Sequence, residues 1–214
     1  MAGRITALKY QKKNRNRVSV FVDDRFVLGL PAIVAASLKP GQVLSDAELE
    51  ALEAKGAIEE GYNRSLNYLS YRPRSRAEVV TYLRRRDLQE KQIDAIVERL
   101  EGVGLLDEVA FAEFWVENRE KFRPRGPVGL RYELRNKGVS EAIIERVLAT
   151  VDVTESAYRA ASKKARQLSR LDRSTFSRRL VDYLARRGFE YELARETAHR
   201  YWVELAGSGE DTHP

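Results

Sequence analysis

Apolar residues alternate with polar ones near the start of the chain, then recur at three- and four-residue intervals along the rest. Val18, Val20 and Val22 alternate, and Phe26, Leu28 and Leu30 answer them after Asp23-Asp24, which predicts a strand pair; Ile5–Tyr10 reads as a further strand. Asp-Asp is a weaker hairpin signal than Asn-Gly and leaves the turn type open. Between the first two strands, Lys12-Lys13-Asn14-Arg15-Asn16-Arg17 reads as a basic loop. From Pro31 the period changes. Pro31 suits a first helical turn, Ala32–Leu38 reads as helix, and Lys39-Pro40-Gly41 breaks it. Ser45 with Glu48 forms a capping box that opens a short acidic helix ending near Gly56. Helices then follow one another with short turns, and Gly207–Pro214, which includes His213, reads as a frayed tail.

An internal repeat organises the helical part. Tyr-Leu-Arg-Arg-Arg-Asp-Leu at 82–88 aligns with Glu-Leu-Arg-Asn-Lys-Gly-Val at 133–139 and Tyr-Leu-Ala-Arg-Arg-Gly-Phe at 183–189. A period of roughly 50 residues marks tandem supersecondary units. Upstream, Tyr71-Arg72-Pro73-Arg74-Ser75 matches Phe122-Arg123-Pro124-Arg125-Gly126, and Leu171-Asp172-Arg173-Ser174 is a looser third copy. Each unit predicts three helices: a first over 57–70, 108–121 or 155–170, a second, and a third starting near 90, 141 or 190. Ser75 with Glu78 is a second capping box, and Asp107 suits an N-cap. Asp87, Gly138 and Gly188 fall where a helix ends in the left-handed region. Two helices joined by so tight a turn resemble a helix-turn-helix element.

Charge follows the same period. The 214 residues hold 38 Lys+Arg and 32 Asp+Glu, a net of only +6. That small figure hides large blocks: +6 over 62–86, −7 over 87–117, +5 over 118–137, −3 over 138–155, +8 over 156–187 and −2 over 189–205. The second helices are basic and the third helices acidic. In a stack of repeats, equivalent helices line one side, so an extended basic stripe is expected, with the acidic helices elsewhere. Of the 38 cations 28 are Arg, whose planar fork suits phosphate and carboxylate; codon usage in a GC-rich genome is the plainer source of that excess. Locking the charge to the repeat favours a functional origin.

Chemistry is sparse. The absence of Cys excludes disulfides, thiol catalysis and Cys-bound zinc. The motifs H-E-x-x-H, G-x-x-x-x-G-K-[ST] and G-x-S-x-G do not occur, and Gly102-Val103-Gly104 lacks the strand and third glycine of a dinucleotide fingerprint. His199 stands alone. No apolar run nears the ~20 residues of a membrane span, and the N-terminus lacks the apolar core of a secretory signal. A soluble cytoplasmic protein with no catalytic residue, metal or cofactor is expected. Tyr68, Tyr71, Tyr82, Phe122, Tyr132, Phe176 and Tyr183 sit beside cations, a pairing that can bind single strands. Their helical spacing with Leu66, Leu69, Val79, Val80 and Leu83 assigns most of them to the core. Three consecutive arginines, Arg84–Arg86, are expected to face solvent or a partner, because all three cannot pair locally.

At this point the residues carry a resemblance. Gly104-Leu105-Leu106-Asp107-Glu108 with Phe111-Ala112, then Pro124-Arg125-Gly126-Pro127, then Leu134-Arg135-Asn136-Lys137-Gly138-Val139 are similar to the RecX family, regulators of the recombinase RecA. Tyr68–Ser75, Leu184–Phe189 and the Ile5-Thr6 strand resemble it too, so that the likeness runs from about residue 4 to 205. Asp87 in place of glycine and Asp23-Asp24 in place of Asp-Gly depart from the pattern, both at turns. The resemblance implies a non-enzymatic modulator that binds the RecA nucleoprotein filament and limits its growth, ATPase and strand exchange, with roles in DNA repair, homologous recombination and the SOS response.

The expected fold is mainly α: three tandem three-helix, helix-turn-helix-like repeats forming an elongated body, with a small N-terminal β-hairpin region. The divisions are 1–56 for the hairpin and short helices, 57–106, 107–153 and 154–206 for the repeats, and 207–214 for the tail. The expected partner-binding residues are Arg72, Arg74, Arg84, Arg85, Arg86, Arg123, Arg125, Arg131, Arg135, Lys137, Arg186 and Arg187. They would contact RecA and, more weakly and without sequence preference, single- or double-stranded DNA, with the protein a monomer away from membranes. The alternative is a helix-turn-helix transcriptional regulator, against which the acidic third helices repel phosphate from the position of a recognition helix.

Overall fold

The structure, a computed structural model, describes residues 3–207, with side chains as far as residue 205. The 207–214 tail therefore lies, apart from Gly207, outside the described residues. The chain forms two compact units, 1–106 and 107–214.

In the first unit, β1 (Gly3–Gln11), β2 (Asn14–Val22), β3 (Arg25–Pro31) and β4 (Val43–Leu44) form an antiparallel sheet in the order β3-β2-β1-β4. The hairpin is thus part of a four-stranded sheet. Asn14–Arg17, expected in a basic loop, are the first residues of β2, and only Lys12-Lys13 turn. Both Asp23 and Asp24 take positive φ, 47° and 62°, as a type I′ turn requires. Asp-Asp serves here because the neighbouring strand supports it: Asp23 Oδ1 accepts the Arg4 N–H at 3.1 Å, and the Asp24 N–H donates to Thr6 Oγ1 at 3.0 Å. Ile5, Val18, Val20, Val22, Leu30 and Leu44 are buried on one face of the sheet, under α1 (Ala32–Ala35) and the start of α2. The α1 helix stops well short of Leu38.

The break expected at Gly56 is absent. Helix α2 runs unbroken from Asp46 to Ser70, 25 residues opened by the Ser45–Glu48 capping box. Gly56 is kept for proximity: a Cβ there would stand 2.8 Å from Leu30 Cδ2. The first half of α2 lays Leu49 and Leu52 on the sheet, and the second half lays Tyr62, Leu66 and Leu69 on the first repeat.

The repeats follow: α3 (Arg76–Arg84) and α4 (Glu90–Gly102) complete the first, α5 (Glu108–Phe122), α6 (Pro127–Asn136) and α7 (Glu141–Leu148) form the second, and α8 (Val153–Leu168), α9 (Arg173–Arg186) and α10 (Tyr191–Gly207) the third. Each has its own core, centred on the equivalent Leu83, Leu134 and Leu184, all fully buried. The third repeat lines its first helix with Ala157, Ala160, Ala161 and Ala165, and Phe176 and Leu180 fill the space this leaves. Each second helix ends in a left-handed residue, Asp87 (φ 59°), Gly138 (φ 78°) or Gly188 (φ 86°). In the latter two copies the next N–H reaches back to the central leucine, Val139 to Leu134 O at 3.1 Å and Phe189 to Leu184 O at 3.2 Å. That bond turns the chain sharply into the third helix.

Within the second unit, repeats two and three meet backbone to backbone. The Gly126 N–H donates to Arg187 O at 3.0 Å, and a Cβ on Gly126 would stand 2.2 Å from Gly188 O. Arg187 reinforces the junction by donating to Pro124 O at 3.0 Å.

Candidate functional site

The basic second helices are not set apart from the acidic third helices. Because the turn between them is tight, the end of one faces the start of the next, and ion pairs close across it. Arg84 Nε lies 2.8 Å from Glu90, and Arg135 Nε 2.7 Å from Glu141. Arg131 bridges Glu141 and Glu145. Arg76 reaches Glu101 at 3.2 Å. Hydrogen bonds from Arg84 and Arg135 hold the carboxyls of Glu90 and Glu141 below the ordinary glutamate range, against a smaller opposing effect of desolvation. The expectation of a bare stripe with its counter-charges elsewhere is corrected accordingly.

The three consecutive arginines divide in the same way. Arg84 pairs with Glu90, and Arg86 lies over the Tyr82 ring at 3.5 Å while donating to Tyr82 O at 2.8 Å. Both pair locally, which the sequence reading excluded for all three together; Arg85 alone projects without a side-chain partner among the described residues.

Aromatic rings act as shelves for several of these cations. In the first repeat four planar groups stack in order: Arg74 over Tyr68 at 4.0 Å, Tyr68 on Tyr82 at 4.2 Å and 7°, and Arg86 over Tyr82. Arg74 Nε is buried there without a hydrogen-bond partner. The second repeat puts charge at the equivalent positions. Arg119 and Arg125 both bind Glu133, at 2.8 and 3.0 Å, Trp115 Nε1 donates to the same carboxylate at 2.8 Å, and Lys137 lies 5.0 Å from the Trp115 ring. In the third repeat Arg187 sits over Tyr183 at 4.7 Å. Arg72 is bidentate on Glu78, at 3.2 and 2.9 Å.

Of the twelve expected binding residues, then, Arg85, Arg123 and Arg186 are exposed with no side-chain partner among the described residues, and the others are held by carboxylates or rings. The aromatics divide as well. Phe176 is core and Tyr68, Tyr82 and Tyr183 are half-buried against the cores, so packing claims four of the seven as expected, while Tyr71, Phe122 and Tyr132 stand 85%, 67% and 68% exposed. Tyr71 and Phe122 occupy equivalent positions, each just before an Arg-Pro-Arg. Sequence reasoning passed over Lys163, Arg166, Arg170, Arg173, Arg178 and Arg179, although the +8 block contains them. Their signal was the scarcity of acid in that block.

A groove of about 810 Å³ lies between β2, α1 and α2, lined among others by Asn14, Asn16, Ile33, Asn63 and Asn67. Arg17 and Arg64 both bind Glu60 on its wall. Burial raises the Glu60 carboxyl, and the two arginine hydrogen bonds outweigh it and hold the group below the ordinary range.

Comparison with known proteins covers the chain in four consecutive parts. The Regulatory protein RecX N-terminal domain matches residues 3–45, and the first, second and third RecX three-helix domains match 62–100, 107–148 and 151–198. The chain belongs to the RecX family.

Regulatory protein RecX of Bacillus subtilis strain 168 is 30% identical over 194 residues, covering 88% of this chain and 74% of the relative. That of Listeria monocytogenes serovar 1/2a is 28% identical over 207 residues, 94% of this chain and 77% of the relative. A crystal structure of regulatory protein RecX shares the fold with a TM-score of 0.73 at 24% identity, covering 89% of this chain and 96% of that one. RecX from Lactobacillus salivarius gives a TM-score of 0.60 at 29% identity, over 69% of this chain and 97% of that one. The mainly α architecture with tandem three-helix repeats is therefore that of the RecX family, and the family implies a regulatory role tied to RecA. Among the described residues no helix is long and apolar enough to cross a membrane.

Proposed function

We propose that this protein is a non-enzymatic, cytoplasmic inhibitor of RecA, which binds the RecA nucleoprotein filament as a monomer and limits filament growth, ATP hydrolysis and strand exchange. The observation that carries the proposal is the match of four successive RecX domains along one chain. In this reading the protein serves DNA repair, homologous recombination and the SOS response by restraint alone, through complementary charge and shape, which needs no chemistry. The contact residues in this reading are Arg72, Arg74 and Arg84–Arg86 in the first unit, and Arg123, Arg125, Arg131, Arg135, Lys137, Arg186 and Arg187 in the second. The structure supports a division within that set. Arg85, Arg123 and Arg186 present free guanidinium groups, and the cations held by glutamates or rings shape the surface around them. DNA is the weaker, non-specific partner.

RecA ATP hydrolysis on single-stranded DNA tests this. The protein lowers the rate, and R85Q/R123Q/R186Q shifts the inhibitory concentration upward by about tenfold, while circular dichroism melting stays unchanged. Unaltered ATPase together with tight binding to one duplex sequence would instead support a helix-turn-helix transcriptional regulator. Full inhibition by the triple variant would remove the three arginines from the interface.

A further inference from the structure

The third repeat differs from the other two in what its cations touch. Lys163 and Arg166 lie at i and i+3 on α8, which puts them on one face of the helix, and Arg170 follows in the turn just past its end. The chain then turns through Leu171-Asp172 into α9, whose first residue is Arg173, with Arg178 and Arg179 further along the same helix. All six are exposed. Among the described residues none has an acidic partner; Arg166 alone is engaged, donating to the Ser162 hydroxyl at 3.0 Å. In repeats one and two the cations at the same junction of first and second helix are engaged by acid, Arg72 by Glu78 and Arg119 and Arg125 by Glu133. Here the acids within 156–187 are Asp172 and Asp182. Asp172 is committed to capping α9, accepting the Thr175 N–H at 3.0 Å.

Folding gives no reason for this arrangement. Arg173 sits at the positive end of the α9 dipole, where a cation is disfavoured, and the acid next to it, Asp172, is spent on the helix N-cap and forms no ion pair with it. A breach of local preference with no compensating contact marks a functional surface. The face also lacks what a protein partner would grip. No large hydrophobic side chain is exposed between 153 and 186, while repeat two exposes Phe122, Val128 and Tyr132. Protein interfaces centre on buried aromatic and aliphatic anchors; a phosphate backbone asks only for cations and hydrogen-bond donors. A shallow hollow of about 570 Å³ beside Lys163, Arg166 and Gln167 gives such a chain room to lie.

We propose that the α8–α9 face of the third repeat binds the phosphate backbone of nucleic acid without reading its sequence. This deepens the filament reading by naming nucleic acid as the partner of the third repeat, and it leaves the ion-paired surfaces of the first two repeats to protein. It is tested on the full chain with DNA alone, so that its outcome is independent of any effect on RecA.

Fluorescence anisotropy with labelled oligothymidylate is measured over roughly 50–200 mM salt for the parent and for K163Q/R166Q/R170Q/R173Q. Every cation–phosphate pair removed makes the log–log salt slope shallower by about 0.7, so the variant should lose about three units of slope and about a hundredfold in affinity near 0.1 M salt. The charge-conserving R166K/R170K/R173K should retain most of the slope, and R72Q/R84Q/R135Q should bind as the parent does. R178Q/R179Q, further along α9, gives a smaller loss in the same direction and guards against a folding defect in the quadruple variant. Parental slope and affinity in the quadruple variant would overturn the proposal. So would an equal loss in the lysine variant, since the effect would then not be one of charge. Parental DNA binding combined with lost binding to DNA-free RecA would assign the face to an acidic protein surface instead.

Discussion

Arg86 shows how single side chains on this molecule are used. Read in isolation it is one of three adjacent cations; in the fold it is the outer layer of a stack that passes through Tyr82 and Tyr68 to Arg74. Stacked aromatic pairs contribute about 0.5–1.5 kcal/mol beyond burial, and an exposed cation over a ring about 0.5–1 kcal/mol. Tyr82→Leu keeps the apolar bulk, removes both faces of the stack, and deletes the hydroxyl that donates to Arg64 O at 3.3 Å. It should destabilise the first unit by about 1–2 kcal/mol in urea unfolding. An unchanged midpoint would mean that the four groups are merely adjacent. Position for position, repeat two replaces the Tyr68–Tyr82 pair with Arg119–Glu133. An aromatic pair and an ion pair are alternative solutions to one spacing, which explains why aromatics and arginines interleave along the sequence without forming a free stacking platform.

At the scale of elements, the second helix of each repeat depends on how it ends. Gly188 meets two demands at once: φ is 86°, and a Cβ would lie 2.2 Å from Gly129 N, inside the junction with α6. Gly104 has φ 71° with nothing within 4 Å of such a Cβ. The left-handed conformation costs a non-glycine residue about 1–2 kcal/mol. Gly104→Ala should therefore lose about 1 kcal/mol, and Gly188→Ala roughly 3 kcal/mol or more, because backbone must also move. Equal losses in urea unfolding would show that φ alone matters and that the junction yields freely. The continuous α2 teaches a related lesson. A glycine amid apolar spacing reads as a stop, yet Gly56 sits mid-helix because Leu30 leaves no room for a larger side chain.

For the molecule as a whole, the charge blocks act first as a folding device. Glu60, Glu90, Glu141 and Glu204 are all held below the ordinary glutamate value. For Glu90, Glu141 and Glu204 a side-chain hydrogen bond is the main cause, from Arg84, Arg135 and Tyr158 respectively, with desolvation opposing it. A carboxyl whose folded value lies below its unfolded one contributes stability above the unfolded value, and that contribution is lost as pH falls through the folded one. Melting temperature should accordingly be level near neutrality and decline progressively below about pH 4.5. High salt at pH 7 should lower it only slightly, since these pairs are largely exposed. A melting temperature that holds steady to pH 3 would deny the pairs a role in stability. Charge not consumed in this way includes the run from Lys163 to Arg179 in the third repeat, where Lys163, Arg166, Arg170, Arg173, Arg178 and Arg179 meet no acid among the described residues.

Local pattern alone determined a good deal: the strand alternation, the capping boxes at Ser45 and Ser75, the 50-residue period, the left-handed helix ends and the family likeness. Each rests on residues close in the chain, whose spacing sets which face they share and which backbone groups they can reach. Tertiary structure decided the rest. Whether Arg84 meets Glu90 depends on the angle of the intervening turn, whether Gly56 ends a helix depends on Leu30, and whether Asp23-Asp24 can turn depends on Arg4 and Thr6 across the strand. Net charge can be counted from a sequence. Free charge cannot, because neutralisation is a contact made in space, and here it leaves Lys163, Arg166, Arg170, Arg173, Arg178 and Arg179 without an acidic partner among the described residues.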